Sequence, residues 1–132
     1  MLKPLLTVTE VGMLAYWLLA ATLALGIVAI PAEYMYSDHT NPLVVAWNWS
    51  FLPIDVAFAG LGLYSRFGSG SPALRHRLAL IAATLMFCAG VMAISYWIMT
   101  DAFDPLWWGL NLWLVLLSMA NLGHLLRAPL PG

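Results

Sequence analysis

Charged side chains are scarce in this chain, and their scarcity argues against a soluble globular protein. Only 8% of its 132 residues are Asp, Glu, Lys or Arg, while 63% are hydrophobic and the mean hydropathy is +0.88. A soluble domain carries about 25% charged residues, because these residues must cover a surface that faces water. The polar residues here are too few for that, so we expect the surface to face lipid.

Residues and motifs that support several chemistries are also missing. The single cysteine, Cys88, excludes an internal disulfide and is predicted to be a small buried hydrophobe. His39, His76 and His124 fall in three separate regions without metal-site spacing, and no phosphate loop, dinucleotide fingerprint, nucleophile elbow or CxxC occurs. We therefore expect no metal and no cofactor. Topology accounts for all five basic residues, so we expect no nucleic-acid partner.

Four apolar stretches carry the chain, and short polar or proline-containing segments separate them. Each stretch is close to the ~20 residues that cross a hydrocarbon core about 30 Å thick. The sequence therefore predicts an all-α integral membrane protein in which four transmembrane helices pack as a bundle. We expect residues 1–132 to form a single domain, with helices at about 5–30, 43–65, 76–99 and 106–127.

The basic residues predict the orientation of this bundle. With four crossings, all of them fall on one side of the membrane, which the positive-inside rule makes cytoplasmic. The four acidic residues outside the apolar stretches fall in the two loops on the other side. We therefore expect both termini to be cytoplasmic (N-in/C-in). The basic residues are Lys3, Arg66, Arg75, Arg77 and Arg127, and the acidic ones are Glu33, Asp38, Asp101 and Asp104.

Asp55 lies near the middle of the second apolar stretch and is the candidate catalytic or binding residue. At a rise of 1.5 Å per residue it is about 15 Å from either surface. A charge at that depth costs about 2.5–3.5 kcal/mol, and an aspartate is too short to reach the interface. Asp55 therefore faces a partner or a hydrated cavity, or it is protonated. Pro53 should kink the helix just before it, and Asn48 lies two turns earlier on the same face.

The tryptophans concentrate at the predicted outer ends of the helices. An aromatic belt explains part of this set, but a belt occupies both interfaces, and the inner end has only Tyr64 and Phe67. The surplus favours an outward-opening aromatic pocket formed by the second, third and fourth helices, with Asp55 at its floor. The predicted ligand-binding residues are Asn48, Trp49, Asp55, Trp97, Trp108 and Asn111.

Two other polar groups have simpler interpretations. Glu10 lies about 8 Å into the first helix, and we expect it near the interface or paired with Arg75 or Arg77. The amides of Asn48 and Asn111 are open to two readings. They line the pocket, or they hydrogen-bond across helices two and four and hold the bundle together for about 0.6 kcal/mol each.

Several segments carry a resemblance that covers nearly the whole chain. They are PAEYMYSDHTNP, the run NPLVVAWNWSFLPIDVAFAGLGL, AISYW, and DAFDPLWWGLNLWL, with WNWSFLPID the most specific part. In these segments the chain resembles the YvaD-like family of small bacterial four-helix membrane proteins, which carry a domain of unknown function. The resemblance implies a bacterial plasma-membrane protein with four helices. It implies no activity and no catalytic residue.

Three functional hypotheses follow. In the first, the protein binds a small lipophilic or cationic ligand, or a membrane partner, through the aromatic pocket. In the second, it is a small isomerase- or cyclase-like membrane enzyme with Asp55 as general acid on a lipophilic substrate. Acid–base work usually needs a second group, which the sequence does not place beside Asp55. In the third, the chain forms a homo-oligomer that carries out proton-coupled transport.

Overall fold

Helices form nearly all of the fold. The structure, a computed structural model, describes residues 1–34, 36 and 38–129. Two of its five α-helices follow each other almost directly, so the described residues contain four helical spans long and apolar enough to cross a membrane. The prediction of an all-α chain with four such spans is confirmed. The helices are α1 (Leu2–Ala24), α2 (Pro42–Ser50), α3 (Leu52–Phe67), α4 (Pro72–Met99) and α5 (Pro105–Arg127).

Three of the helices begin at a proline that follows a polar capping residue. Proline suits the first helical position, because its fixed φ matches the helix and its missing N–H would have no intrahelical partner there. The preceding side chain then accepts hydrogen bonds from backbone N–H groups of the first turn. The pairs of capping residue and proline are Asn41 with Pro42, Ser71 with Pro72, and Asp104 with Pro105.

Helix α1 ends at Ala24, six residues before the predicted end at Ile30. The chain turns at Gly26, which has a φ of +69°, a conformation that glycine adopts without steric cost. The N–H of Gly26 donates to the carbonyl of Leu23, and the N–H of Ile27 donates to that of Thr22. This pattern is a Schellman motif, which closes the helix although apolar residues continue beyond it.

The second span is broken where Pro53 was expected to kink it. Helix α2 ends at Ser50 and α3 begins at Leu52, with Phe51 between them. The N–H of Phe51 donates to the carbonyl of Asn48 at 3.2 Å, one residue closer than in a regular α-helix. Because a proline has no N–H to continue the ladder, the break creates a new helix start inside the span. Asp55 lies in the first turn of this new helix.

Helix α4 is central: it packs against α3 on one side and α5 on the other, while α1 packs mainly against α3. Small residues allow these close approaches. A Cβ placed on Gly90 would lie 2.8 Å from the Cγ2 of Val115 and 2.9 Å from the carbonyl oxygen of Asn111, both on α5. The buried small residues of α4 are Ala82, Ala83, Ala89, Gly90 and Ala93.

Candidate functional site

The carboxylate of Asp55 is buried between α3 and α1. Its side chain is 6% exposed, and its Oδ2 accepts a hydrogen bond of 2.9 Å from the indole Nε1 of Trp17. Asp55 also occupies the start of α3, where free N–H groups and the helix dipole favour negative charge. The Pro53 break therefore places an acidic group inside the bundle with two sources of stabilisation.

The other carboxylate oxygen of Asp55 lacks such support. Within the residues that the structure describes, Oδ1 is buried and has no hydrogen-bond partner. The hydroxyl of Tyr16 is likewise buried: it interacts electrostatically with the Asn48 side chain but makes no well-formed hydrogen bond to a described residue. Buried polar atoms are nearly always paired, so the unpaired Oδ1 of Asp55 marks a place where another molecule fits.

Asp55 and Tyr16 line one cavity of about 370 Å³. This volume lies within the usual range for small-molecule sites, about 300–1,000 Å³. Its wall is largely apolar and aromatic, with few polar groups. The lining residues are Val8, Thr9, Gly12, Met13, Tyr16 and Trp17 of α1, Tyr36 of the following loop, Trp47 and Asn48 of α2, Phe51 after it, Asp55 of α3, Ala89, Ala93 and Trp97 of α4, and Trp107, Leu110, Asn111, Trp113 and Leu114 of α5.

Aromatic rings around the cavity hold one another in position. The ring of Tyr16 makes edge contacts with Trp17 and Trp107, with centroids 5.2 and 5.8 Å apart. The ring of Trp47 makes an edge contact with Trp97 at 5.7 Å and stacks on Tyr96 at 3.8 Å. Such packing favours a fixed wall over mobile side chains, because each ring restricts the rotamers of the next.

The predicted ligand-binding residues separate into two groups. Asp55, Asn48, Trp97 and Asn111 line the cavity. Trp49 and Trp108 are not among its lining residues. Trp49 packs against Trp17, with ring centroids 5.5 Å apart, so it supports the indole that donates a hydrogen bond to Asp55. Trp108 donates its Nε1 hydrogen bond to the carbonyl of Ala102, which secures the loop before α5.

The two amides do not form the expected interhelical hydrogen bond. Asn111 donates to the carbonyl of Trp107, one turn earlier in its own helix, at 2.8 Å. Among the described residues no hydrogen bond joins Asn48 to Asn111. Both amides line the cavity between α2 and α5, and this space separates the two helices. The reading as a direct interhelical bond is therefore wrong for this pair.

Helix α1 was missing from the predicted pocket, although it contributes six of the lining residues. Sequence reasoning placed the site among the second, third and fourth spans and overlooked Tyr16 and Trp17. A signal was present: Trp17 lies in the middle of its span, where its indole N–H needs an acceptor. Asp55, equally deep in the second span, was the acceptor that it required.

Glu10 was expected near the interface or paired with Arg75 or Arg77, and the expected pairing is wrong. Glu10 is only 1% exposed, and its carboxylate forms an ion pair with Arg66 of α3. Gly62 makes room for it, because a Cβ at that position would overlap the Glu10 carboxylate. Helix α1 begins at Leu2 and not at residue 5, so Glu10 lies about 12 Å into the helix.

Arg75 has a different role. Its Nε and Nη2 donate to the carbonyls of Ser65 and Arg66, each at 2.8 Å, and these carbonyls belong to the last turn of α3. A cation at this place complements the negative end of the helix dipole. Arg75 therefore caps α3, and Arg66 forms the ion pair with Glu10.

Comparison with known proteins agrees with the resemblance described above. The chain is 34% identical over 127 residues to the uncharacterized protein YvaD of Bacillus subtilis (strain 168), covering 96% of this chain and 92% of that protein. No solved structure matches the chain. A family model described as a family of unknown function (DUF5360) matches residues 2–130. The chain therefore belongs to this DUF5360 family.

Proposed function

We propose that the chain is a single-domain integral protein of a bacterial plasma membrane, with four spans and both termini in the cytoplasm. Large apolar side chains on the outer faces of the helices support this proposal, because a water-soluble protein rarely exposes so many together. They include Leu18 of α1, Ile98 of α4, and Leu116 and Met119 of α5. The distribution of basic residues supports the orientation.

We propose further that the aromatic cavity binds a small, mainly apolar molecule that carries one cationic or hydrogen-bond-donating group. The observation that carries this proposal is the Oδ1 of Asp55, a buried acceptor without a donor among the described residues, in a residue that lines the cavity. A donor from the ligand would satisfy this atom. The remaining surface, largely tryptophan and aliphatic, suits the apolar body of the ligand.

A cation suits this cavity for two independent reasons. An ionised Asp55 attracts it directly, and the lining includes Trp47, Trp97 and Trp107, a residue type that suits cation–π contacts. Tyr36, from the loop between the first two spans, and Trp107, near the start of α5, line the same cavity. Both belong to the end of the bundle that the positive-inside rule places outside, which supports an opening toward that side.

A thermal-shift screen of lipophilic amines and neutral isosteric alcohols tests the proposal on the purified full chain. Amines that stabilise the wild type should lose at least about tenfold in affinity in Asp55→Asn, since the charge is removed while the shape is kept. Asp101→Asn is the matched control: it removes an exposed carboxylate from a loop residue with a φ of 50°, which asparagine also tolerates. Equal stabilisation of all three proteins would exclude Asp55 from the site.

Tyr16 supports a second candidate function, a membrane enzyme that moves protons on a lipophilic substrate. Tyr16 lines the same cavity as Asp55, and its buried hydroxyl makes no well-formed hydrogen bond to a described residue. It supplies the second proton-bearing group that acid–base chemistry needs and that Glu10, ion-paired elsewhere, does not. If the cavity only binds a ligand, Tyr16→Phe should lower its affinity modestly. If it catalyses, Tyr16→Phe should abolish turnover of a bound substrate while its affinity is retained.

A further inference from the structure

A second cavity, of about 1,020 Å³, lies at the other end of the bundle. It is an open groove between the start of α1 and α4 and the end of α3 and α5, which is the end that carries the basic residues. It shares only Val8 with the aromatic cavity. The lining residues are Met1, Leu2, Lys3, Pro4, Leu6, Thr7, Val8, Ser65, Arg66, Phe67, Pro72, Arg75, His76, Ala79, Asn121, His124 and Leu125.

Positive charge is not balanced within this second cavity. Lys3, Arg66 and Arg75 line it, and none of its lining residues is acidic. Glu10 neutralises Arg66, and this is the one ion pair among the described residues. The dipole of α3 offsets only part of the charge of Arg75, which donates to backbone carbonyls, and no acidic lining residue balances Lys3. An anion would be attracted to this place.

Asn121 supplies an independent observation that points to a ligand. It lies on α5, is only 8% exposed, and lines the second cavity. Its side chain makes no hydrogen bond to any residue that the structure describes. Because no described residue engages this amide, its NH₂ group can donate to an oxygen of a bound molecule. Neither the positive-inside rule nor the packing of α5 requires an asparagine here.

From these observations we propose that the second cavity binds a phosphate group, with Lys3, Arg75 and the Asn121 amide as its recognition elements. Phosphate oxygens accept charge-assisted hydrogen bonds from lysine and arginine and ordinary ones from amides. In the membrane topology proposed above, the ends of the four spans lie at the depth of lipid head groups, and the second cavity lies at these ends. Its apolar lining, which includes Leu6, Phe67 and Leu125, suits the acyl chains of an anionic phospholipid. Free phosphate would use the same polar groups without that apolar contact.

Retention of phospholipid by the purified full chain tests this proposal. Native mass spectrometry is run after reconstitution in phosphatidylglycerol or in phosphatidylcholine, and a parallel thermal-shift titration uses inorganic phosphate. We expect one phosphatidylglycerol to be retained in preference to phosphatidylcholine. Lys3→Gln should weaken retention about fivefold, the equivalent of about 1 kcal/mol for one basic residue. Asn121→Leu should also weaken it, and because leucine suits a buried helix position, its thermal stability without lipid should stay close to wild type.

Arg77→Gln and Arg127→Gln are matched controls. They remove the same charge from the same end of the bundle, but neither residue lines the second cavity. Both should retain phosphatidylglycerol as the wild type does. A different outcome would assign the site to free phosphate. In that outcome inorganic phosphate stabilises the protein, Lys3→Gln and Asn121→Leu abolish this stabilisation, and neither lipid is preferred.

Two results would overturn the proposal. One is equal weakening by Arg77→Gln and Lys3→Gln, which would indicate diffuse surface charge. The other is equal retention of phosphatidylglycerol and phosphatidylcholine together with no stabilisation by inorganic phosphate. Asp55→Asn should leave phosphate binding unchanged, so this inference and the proposed function of the aromatic cavity can fail independently.

Discussion

The contact between Trp17 and Asp55 makes a quantitative prediction about the core of the bundle. Trp17→Phe removes the indole N–H that donates to Oδ2 at 2.9 Å and keeps an aromatic ring in its place. Asp55 is then left with neither oxygen paired to a described residue, because Oδ1 already lacks a partner. A hydrogen bond to a charged group contributes about 1.5–3 kcal/mol to stability, and a neutral one about 0.5–1.5 kcal/mol.

A double-mutant cycle separates this hydrogen bond from the packing of the two side chains. Asp55→Leu alone leaves the indole N–H without an acceptor, and Trp17→Phe alone leaves Oδ2 without a donor. The double variant leaves neither, so its cost should be smaller than the sum of the two single costs. We expect a coupling energy of about 1.5–3 kcal/mol if Asp55 is ionised. A value near the membrane average of about 0.6 kcal/mol would indicate a protonated side chain.

Reversible unfolding in mixed detergent micelles, followed by circular dichroism, measures the four free energies of unfolding. Ser118→Ala in α5 serves as the control, because Ser118 is buried but donates only to the carbonyl of Val115 in its own helix. Its cost should add to that of Trp17→Phe. Additivity within about 0.3 kcal/mol between Trp17→Phe and Asp55→Leu would show that the two side chains do not interact and would refute the site geometry.

Two further predictions address packing and topology. Gly62→Ala should destabilise the protein by about 1–3 kcal/mol, because its Cβ would displace the Glu10 carboxylate from Arg66. Gly12→Ala is the matched control, since nothing lies within 4 Å of a Cβ there, and it should stabilise by up to about 1 kcal/mol; equal effects in thermal unfolding would contradict the Glu10 contact. Reporter fusions after Gly70 and after Gly132, which lies outside the described residues, should report a cytoplasmic location, and one at Asn41 an external location. An external signal at Gly70 would reverse the proposed orientation.

The helical spans could be predicted from the sequence because their signals are local. Hydropathy over about 20 residues finds a span, and the prolines mark where α2 and α5 begin and where the second span breaks. The depth of Asp55 follows from counting residues along one helix. The end of α1 was misjudged because Ile27 and Val28 prolong the apolar run beyond Gly26, where the backbone turns.

The partners of each span were harder to predict, because they depend on which helix faces pack against each other. In a soluble helix the apolar face marks the core, but here both the lipid-facing and the buried faces are apolar, so periodicity carries little information. The pairing of Asn48 with Asn111 was inferred from spacing within each helix, and that spacing does not specify which helices touch. Tyr16 and Trp17 were overlooked for the same reason.

Polar pairs across α1 and α3 provide the information that apolar periodicity lacks. Glu10 and Trp17 lie seven residues apart on one face of α1, and their partners Arg66 and Asp55 lie eleven residues apart on α3. The order is reversed, as antiparallel neighbours require. Lipid offers such groups no other hydrogen bonds, so a shift of α1 by one turn would leave both pairs unmatched at once. These two contacts therefore fix the register of α1 against α3, its main packing partner. The same register carries Tyr16 to the wall of the aromatic cavity, so the shape of the site depends on the two polar pairs as well as on its own lining.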